Sequence, residues 1–239
     1  MEKIFDYYIS GHDTDFYRFV APSSYLKIAE TASYAAGERF GFAMDRMISE
    51  LNATWMTASV DLEILEDINT VGTIQVYAQP FTTNGVLFHE TIEIRREEHP
   101  IARCAIHTMA VNFLTRKVIR PELVMEHFGK QCSPGQGIPP RLVMPDSMEL
   151  ADTFTVRYSN CDHNQHLRAF TYTDLVCDVA DYWSGPERKK GRHLIMEYLG
   201  EVRVGETLQL YRADRDDGIF VQGVRPDGKE SFKAFLTTE

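Results

Sequence analysis

No apolar run in this 239-residue sequence approaches the roughly 18 residues that cross a bilayer as a helix. The opening residues, Met1 to Asp6, offer no basic n-region and no apolar h-region. They are not rich in Arg and Ser either, so neither a secretory nor a transit signal is expected. Positive charge is in deficit, with 25 Lys and Arg against 35 Asp and Glu, a net of −10. That balance excludes a general polyanion binder, which needs a basic face for phosphates. Cysteine is sparse: Cys104, Cys132, Cys161 and Cys177 form no C-x-x-C pair. This usage fits a reducing, cytoplasmic setting rather than a disulfide framework. There is no G-x-S-x-G, H-E-x-x-H, Walker loop or G-x-G-x-x-G, so a serine hydrolase, a zincin or a nucleotide enzyme would need an unrecognised site. What remains, 44% hydrophobic and 25% charged residues, can bury a sizeable core in one large domain or two small ones.

Internal repetition decides for two. Ser10-Gly-His-Asp13-Thr-Asp15-Phe-Tyr17 matches Ser159-Asn-Cys-Asp162-His-Asn164-Gln-His166 at an offset of 149. Val71-Gly72-Thr-Ile74-Gln-Val76-Tyr77 matches Val204-Gly205-Glu-Thr-Leu208-Gln-Leu210-Tyr211 with one insertion, and Gly85-Val-Leu-Phe88 matches Gly218-Ile-Phe-Val221. Three matches in one order indicate a tandem duplication. A Pro- and Gly-rich stretch, Cys132 to Arg141 with Pro145 after it, reads as the connector because it breaks helix and strand alike. The expected organisation is residues 1–130, a linker over 131–148, and residues 149–239.

Periodicity sets the elements within each copy. Tyr172, Leu175, Val176, Val179 and Trp183 share one helical face, with the helix ending near Gly185-Pro186, as do Tyr25, Ile28, Ala29 and Ala32 in the first copy. Met56, Ala58, Val60, Leu62 and Ile64 alternate with polar residues, the pattern of a half-buried strand. Strand-like runs follow at 73–80, 86–96, 101–113, 194–202, 206–213, 218–225 and 230–238. Each copy is therefore an α+β module, a helix packed on an antiparallel sheet.

The densest polar constellation is Arg157-Tyr-Ser-Asn-Cys-Asp162-His-Asn164-Gln-His166, between an alternating strand and the second helix. Unpaired N–H groups and the positive dipole end lie at such a helix start, where an oxyanion is stabilised. A carboxylate, an amide and an imidazole within five residues supply charge, a donor–acceptor and a proton carrier. By itself, a D-x-N-x-H string is more often turn chemistry and capping. Cys161, Asp162, His163 and His166 make a poor metal set because no second ligand cluster accompanies them, and neither a metal nor a cofactor is expected. His12-Asp13-x-Asp15 reads as a polar turn.

These residues resemble the acyl-ACP thioesterase family of plants and bacteria. Ser159, Asp162, Asn164 and His166 stand where that family has R-x-S-D-x-D-x-N-x-H-V-N-N, and Glu197-Tyr198-Leu-Gly-Glu201 stands at its E-Y-x-x-E. Pro22-Ser23, Trp55 and the Val71-Gly72 turn extend the likeness into the first copy. The chain departs from the family at Leu167-Arg168-Ala169, in place of V-N-N, and at Val202, where plant members have a cysteine. The resemblance implies two tandem hotdog domains and hydrolysis of acyl-ACP to a free fatty acid and holo-ACP. It implies Asp162, Asn164, His166 and Glu201 as catalytic residues, Glu201 or Asp162 being the base. The first copy has lost its imidazole, so it would supply the acyl pocket and the second copy the chemistry. A hotdog enzyme acting on acyl-CoA, or a non-catalytic acyl-binding module, is the alternative.

Two further expectations concern the partner. Trp55 either lines the acyl site or packs in the core. Arg188, Lys189, Lys190 and Arg192 form a basic cluster, read either as a solvated loop or as a docking patch for acidic acyl carrier protein with its phosphopantetheine-linked chain. No nucleic acid or membrane span is expected, and either a monomer of paired domains or a homodimer fits.

Overall fold

The computed structural model describes residues 1–239 except 70, 136–140, 163, 183–190 and 239, and except the side chains of 191, 192 and 238. The first half contains β1 (Glu2–Ile9), α1 (Pro22–Phe40), α2 (Met44–Leu51), β2 (Ala53–Ile64), β3 (Gly72–Ala78), β4 (Thr82–Asn84), β5 (Leu87–Arg96), β6 (His99–Asn112), β7 (Val118–Ile119), α3 (Pro121–Phe128) and β8 (Ser133–Pro134). The second contains β9 (Glu149–Thr155), α4 (Ala169–Val179), β10 (Gly191–Tyr198), β11 (Thr207–Arg215), β12 (Gly218–Val224) and β13 (Glu230–Thr238).

One sheet runs through both halves in the order β1-β3-β5-β6-β2-β10-β13-β12-β11-β9. The order is a palindrome: each strand of the first half has its counterpart equally far from the β2–β10 seam. All pairings on this path are antiparallel, which leaves one sheet face free to wrap each helix. At the seam, Leu194 lies opposite Leu62 and Met196 opposite Val60, all buried, while His193 Nε2 meets Asp61 Oδ1 at 2.6 Å. This is the α+β double-hotdog architecture expected from the sequence.

The helices follow their apolar faces. Pro22 opens α1 at a position whose N–H has no helical partner anyway, and Gly41 closes it with φ of 90°. Tyr25, Leu26, Ile28, Ala29, Ala32 and Ala36 are all buried against the sheet. Each large apolar side chain so buried contributes about 1.5–3 kcal/mol. In α4, Tyr172, Leu175, Val176 and Val179 are buried as the periodicity requires, but the helix ends at Val179, earlier than the expected stop near Gly185. Trp183, the last residue of that pattern, lies outside the described residues.

Two local departures shape the site. The alternation of β2 holds at Val60, Leu62 and Ile64, all buried, but breaks between Thr57 and Ser59, where the register against β6 slips. Such a bulge changes which face its neighbours present. Met56 and Ala58 are consequently only half-buried. In the stretch read as a linker, Ser133–Pro134 pairs with β4, and Leu142 N–H donates to Glu197 Oε1 at 2.7 Å. Glu197 is thus a buried anchor for the connector, not a solvated strand residue.

Candidate active site

The polar loop 157–168 is built on the same backbone plan as residues 10–21 of the first half. Asp162 N–H donates to His166 O at 2.9 Å, and its Oδ1 accepts from Asn164 N–H at 2.8 Å and His166 N–H at 3.2 Å. In the first half Asp15 N–H donates to Phe19 O at 2.6 Å, and Asp15 Oδ1 accepts from Tyr17 N–H at 2.9 Å and Phe19 N–H at 3.0 Å. Gln165 (φ 66°) and Arg18 (φ 69°) take the same left-handed turn. The repeat therefore registers Asp162 with Asp15, an offset of 147, and not with Asp13 at 149. Asp13 instead matches Asn160: each accepts the N–H three residues before it, from Ser10 at 2.8 Å and from Arg157 at 2.9 Å. Tyr17 and Phe19 consequently occupy the places of Asn164 and His166, so neither the amide nor the imidazole has a counterpart at its place in the first loop. His12-Asp13-x-Asp15 is the polar turn expected.

The second loop meets Glu201 just beyond β10. His166 Nε2 stands 3.1 Å from Glu201 Oε2, and the two side chains are 17% and 23% exposed. Several bonds hold the turn that carries Glu201. Leu199 N–H and Gly200 N–H donate to Ser231 O at 2.8 and 3.0 Å, Ser231 Oγ–H donates to Gly200 O at 2.9 Å, and Arg225 Nη1 donates to Glu201 O at 3.3 Å. Asn164 Nδ2 donates to Asp162 Oδ2 at 3.3 Å. Both Asp162 oxygens are thus occupied by its own loop, which suits it to orienting Asn164 and His166.

One contact at this candidate site escaped the sequence. Arg116, in the turn between β6 and β7, donates from Nη2 to Glu201 Oε1. Its turn is fixed by Asn112, whose Oδ1 accepts from Leu114 N–H, Thr115 N–H and Thr115 Oγ–H at 3.1, 2.9 and 3.1 Å. The first half therefore brings a cation to the carboxylate of the second. His166 is held below the usual imidazole pKa mainly by burial, with Arg203 and Arg116 adding to the effect and Asp162 and Glu206 opposing it. The neutral imidazole is thereby favoured.

Asp162, Asn164, His166 and Glu201 all line one cavity of about 650 Å3. Its opposite wall is α1, through Glu30 and Tyr34, and Trp55, Thr57 and Tyr198 complete it. The first turn of α4 also reaches this wall at Ala169 and Phe170, where helical N–H groups lack intrahelical partners. A smaller hollow, about 60 Å3, shares Glu30, Tyr34, Trp55 and Thr57 and extends between Gly37, Phe42 and Phe81. Trp55 packs against the core cluster and also borders the cavity. Its ring lies 4.9 Å from that of Phe88 and stacks on Phe81, its Nε1–H donates to Phe42 O at 3.4 Å, and its remaining surface faces the cavity. Arg188, Lys189 and Lys190 lie outside the described residues. Arg192 lies within β10, its side chain undescribed. Among the described residues, no group of three or more His, Cys, Asp or Glu is placed to hold a metal, and no helix is long and apolar enough to cross a membrane.

Comparison with known proteins bears on this geometry. Residues 144–231 match the family model of the acyl-ACP thioesterase C-terminal domain, a span containing all four site residues. An acyl-ACP thioesterase of Bacteroides thetaiotaomicron superposes with a TM-score of 0.83 at 15% identity, covering 98% of this chain and 96% of that one. The 12:0-ACP thioesterase of Umbellularia californica gives 0.82 at 15% identity, with the same coverage of each chain. A MaoC-like dehydratase of Phytophthora capsici reaches only 0.57 at 14% identity, covering 77% of this chain and 69% of that one. At these identities the structural likeness speaks for the fold. The search of curated protein sequences returned no match. Residues 144–231 are thus similar to the C-terminal domain of acyl-ACP thioesterases, and the chain shares the fold of those enzymes.

Proposed function

We propose that this protein hydrolyses the thioester of acyl-ACP to a free fatty acid and holo-ACP, with the reacting carbonyl held in the cavity between α1 and the 162–166 loop. The observation that carries the reading is the chain Arg116–Glu201–His166 ending beside Asn164 on that cavity. Glu201 has one oxygen on Arg116 and the other on His166, so it is placed to fix the imidazole in the tautomer with a proton on Nε2. The other ring nitrogen is then free to take a proton from water. The water oxygen bonds to the thioester carbon, and negative charge develops on the carbonyl oxygen. Donors for that charge are the Asn164 amide and the first-turn N–H groups of α4. Collapse of the intermediate breaks the C–S bond, and His166 returns its proton to the phosphopantetheine sulfur. Asp162 holds Asn164 and His166 in place. In this reading residues 149–239 supply the chemistry, and residues 1–130 supply Arg116 and the α1 wall of the acyl site.

Purified protein assayed on matched acyl-ACP and acyl-CoA panels tests this. Thiol release from ACP well above that from CoA supports the reading. Preference for CoA would reassign the partner, and turnover of neither would reject the enzyme. Asn164→Ala, His166→Ala and Glu201→Ala should each lower kcat by about 10²–10⁴ in folded protein. Near-normal rates in all three would overturn the site.

A further inference from the structure

Helix α1 carries two different stripes. One is apolar and packs on the sheet. The other, Glu30, Ser33, Tyr34 and Gly37, follows the i, i+3, i+4, i+7 spacing and faces the cavities. Glu30 sits where the large cavity and the small hollow meet, and it has no hydrogen-bond or ion-pair partner among the described residues. Its position is not a remnant of symmetry. At the 147-residue offset its counterpart on α4 is Cys177, so the carboxyl belongs to the side that faces the Asn164–His166 loop. Burial, together with the charge of Asp162 across the cavity, pushes its pKa up to about 8. Tyr34, one turn on, is raised by burial and by the charges of Glu30 and Asp162.

A saturated acyl chain lying along this wall would strip solvent from Glu30 and give nothing in return. A buried polar group left unpaired costs free energy, and a site that offers a hydrogen bond discriminates strongly against a ligand unable to use it. We propose that Glu30 is a specificity-determining residue that selects acyl chains bearing a hydroxyl near the thioester. A hydroxyl both donates and accepts, so it pairs with this carboxyl in either protonation state. The closeness of Asp162 places the contact at the thioester end of the chain, and the small hollow beyond Trp55 takes carbons further along. The inference rests on the thioesterase reading for its substrate, though its test does not.

The experiment compares 3-hydroxyacyl-ACP with saturated acyl-ACP of equal length on wild-type protein, Glu30→Gln and Glu30→Leu. Binding of the corresponding uncleavable acyl-pantetheine amides is measured in parallel. The expected result is a wild-type kcat/KM ratio favouring the hydroxyacyl substrate by about tenfold or more. Glu30→Gln, which still offers a donor and an acceptor, keeps most of that ratio, and Glu30→Leu reverses it. A wild-type ratio near one, or the same ratio in Glu30→Leu, overturns the inference while leaving the thioesterase reading intact. If no variant turns over either substrate, the Kd ratio of the amides decides. A Glu30-dependent preference for the hydroxyl upholds the inference although the thioesterase reading fails, and equal Kd values overturn it.

Discussion

Arg116 and Glu201, 85 residues apart and in opposite halves of the chain, form an ion pair at the edge of the cavity. The pair ties the carboxylate that holds His166 to a turn of the other half. Replacing Arg116 with Met should lower kcat by about tenfold to a hundredfold through the loosened Glu201–His166 contact. Stability should change by no more than about 1 kcal/mol, because the pair is partly exposed. Removing a cation near His166 also favours the imidazolium, so its pKa rises. The acid limb of the kcat profile should then move to higher pH. A limb that stays in place would mean that His166 is not the group titrating there.

The matched loops permit an internal control. Asp15→Ala and Asp162→Ala remove the same two backbone hydrogen bonds from equivalent turns, and each should cost about 1–2 kcal/mol in denaturant unfolding. Only Asp162→Ala should abolish turnover. Comparable activity loss in Asp15→Ala would show that the first loop participates in catalysis.

Glu90 is 2% exposed; Ser33 Oγ–H donates to its Oε1, while Oε2 has no hydrogen-bond partner among the described residues. Burial, only partly offset by the Ser33 bond, raises its pKa to about 7. The folded state keeps a proton that the unfolded chain gives up near the ordinary carboxylate value. Stability should therefore fall as pH rises from about 4.5 to 7 and level off above, by about 3 kcal/mol from this group. Glu90→Gln should remove that part of the slope. An unchanged slope would show that Glu90 is ionised in the fold.

His193 adds a smaller dependence in the same direction. Its hydrogen bond to Asp61, the larger influence, raises the imidazole pKa against the opposing effect of burial. The seam bond is therefore fully present at low pH and is lost as pH rises through the folded pKa, above the ordinary value near 6.5. His193→Gln should flatten stability across that window, as read by thermal melts between pH 6 and 8.

Much of this was legible from local patterns. Strands β2, β3, β5, β6 and β10–β13 announced themselves by period two, and α1 and α4 by one apolar face, because each buries a single side. Asp162, Asn164 and His166 were visible because the loop concentrates them within five residues. Arg116 was not, because nothing in a turn sequence marks the carboxylate it meets across the fold. Nothing in the sequence singles out Glu30, since sequence cannot distinguish a helix face turned to solvent from one turned to a cavity. The repeat register slipped by two because Asp13 and Asp15 both resemble Asp162 in type. Only the hydrogen bonds to Tyr17 and Phe19 decide between them. The register slip between Thr57 and Ser59 left no local sign either, and it puts Trp55 and Thr57 on the face that borders the cavity.

The palindromic sheet has a consequence for how this molecule can change. In a pair of identical subunits, every substitution is made twice, and a residue harmful in one setting is tested in both. Here the two settings are encoded separately. Tyr17 and Phe19 could replace an amide and an imidazole without cost to Asn164 and His166, and α1 could acquire Glu30 where α4 has Cys177. If the 162–166 loop is the reaction centre, joining the halves in one chain gives up one of two equivalent centres and leaves the other half free to be tailored to the substrate.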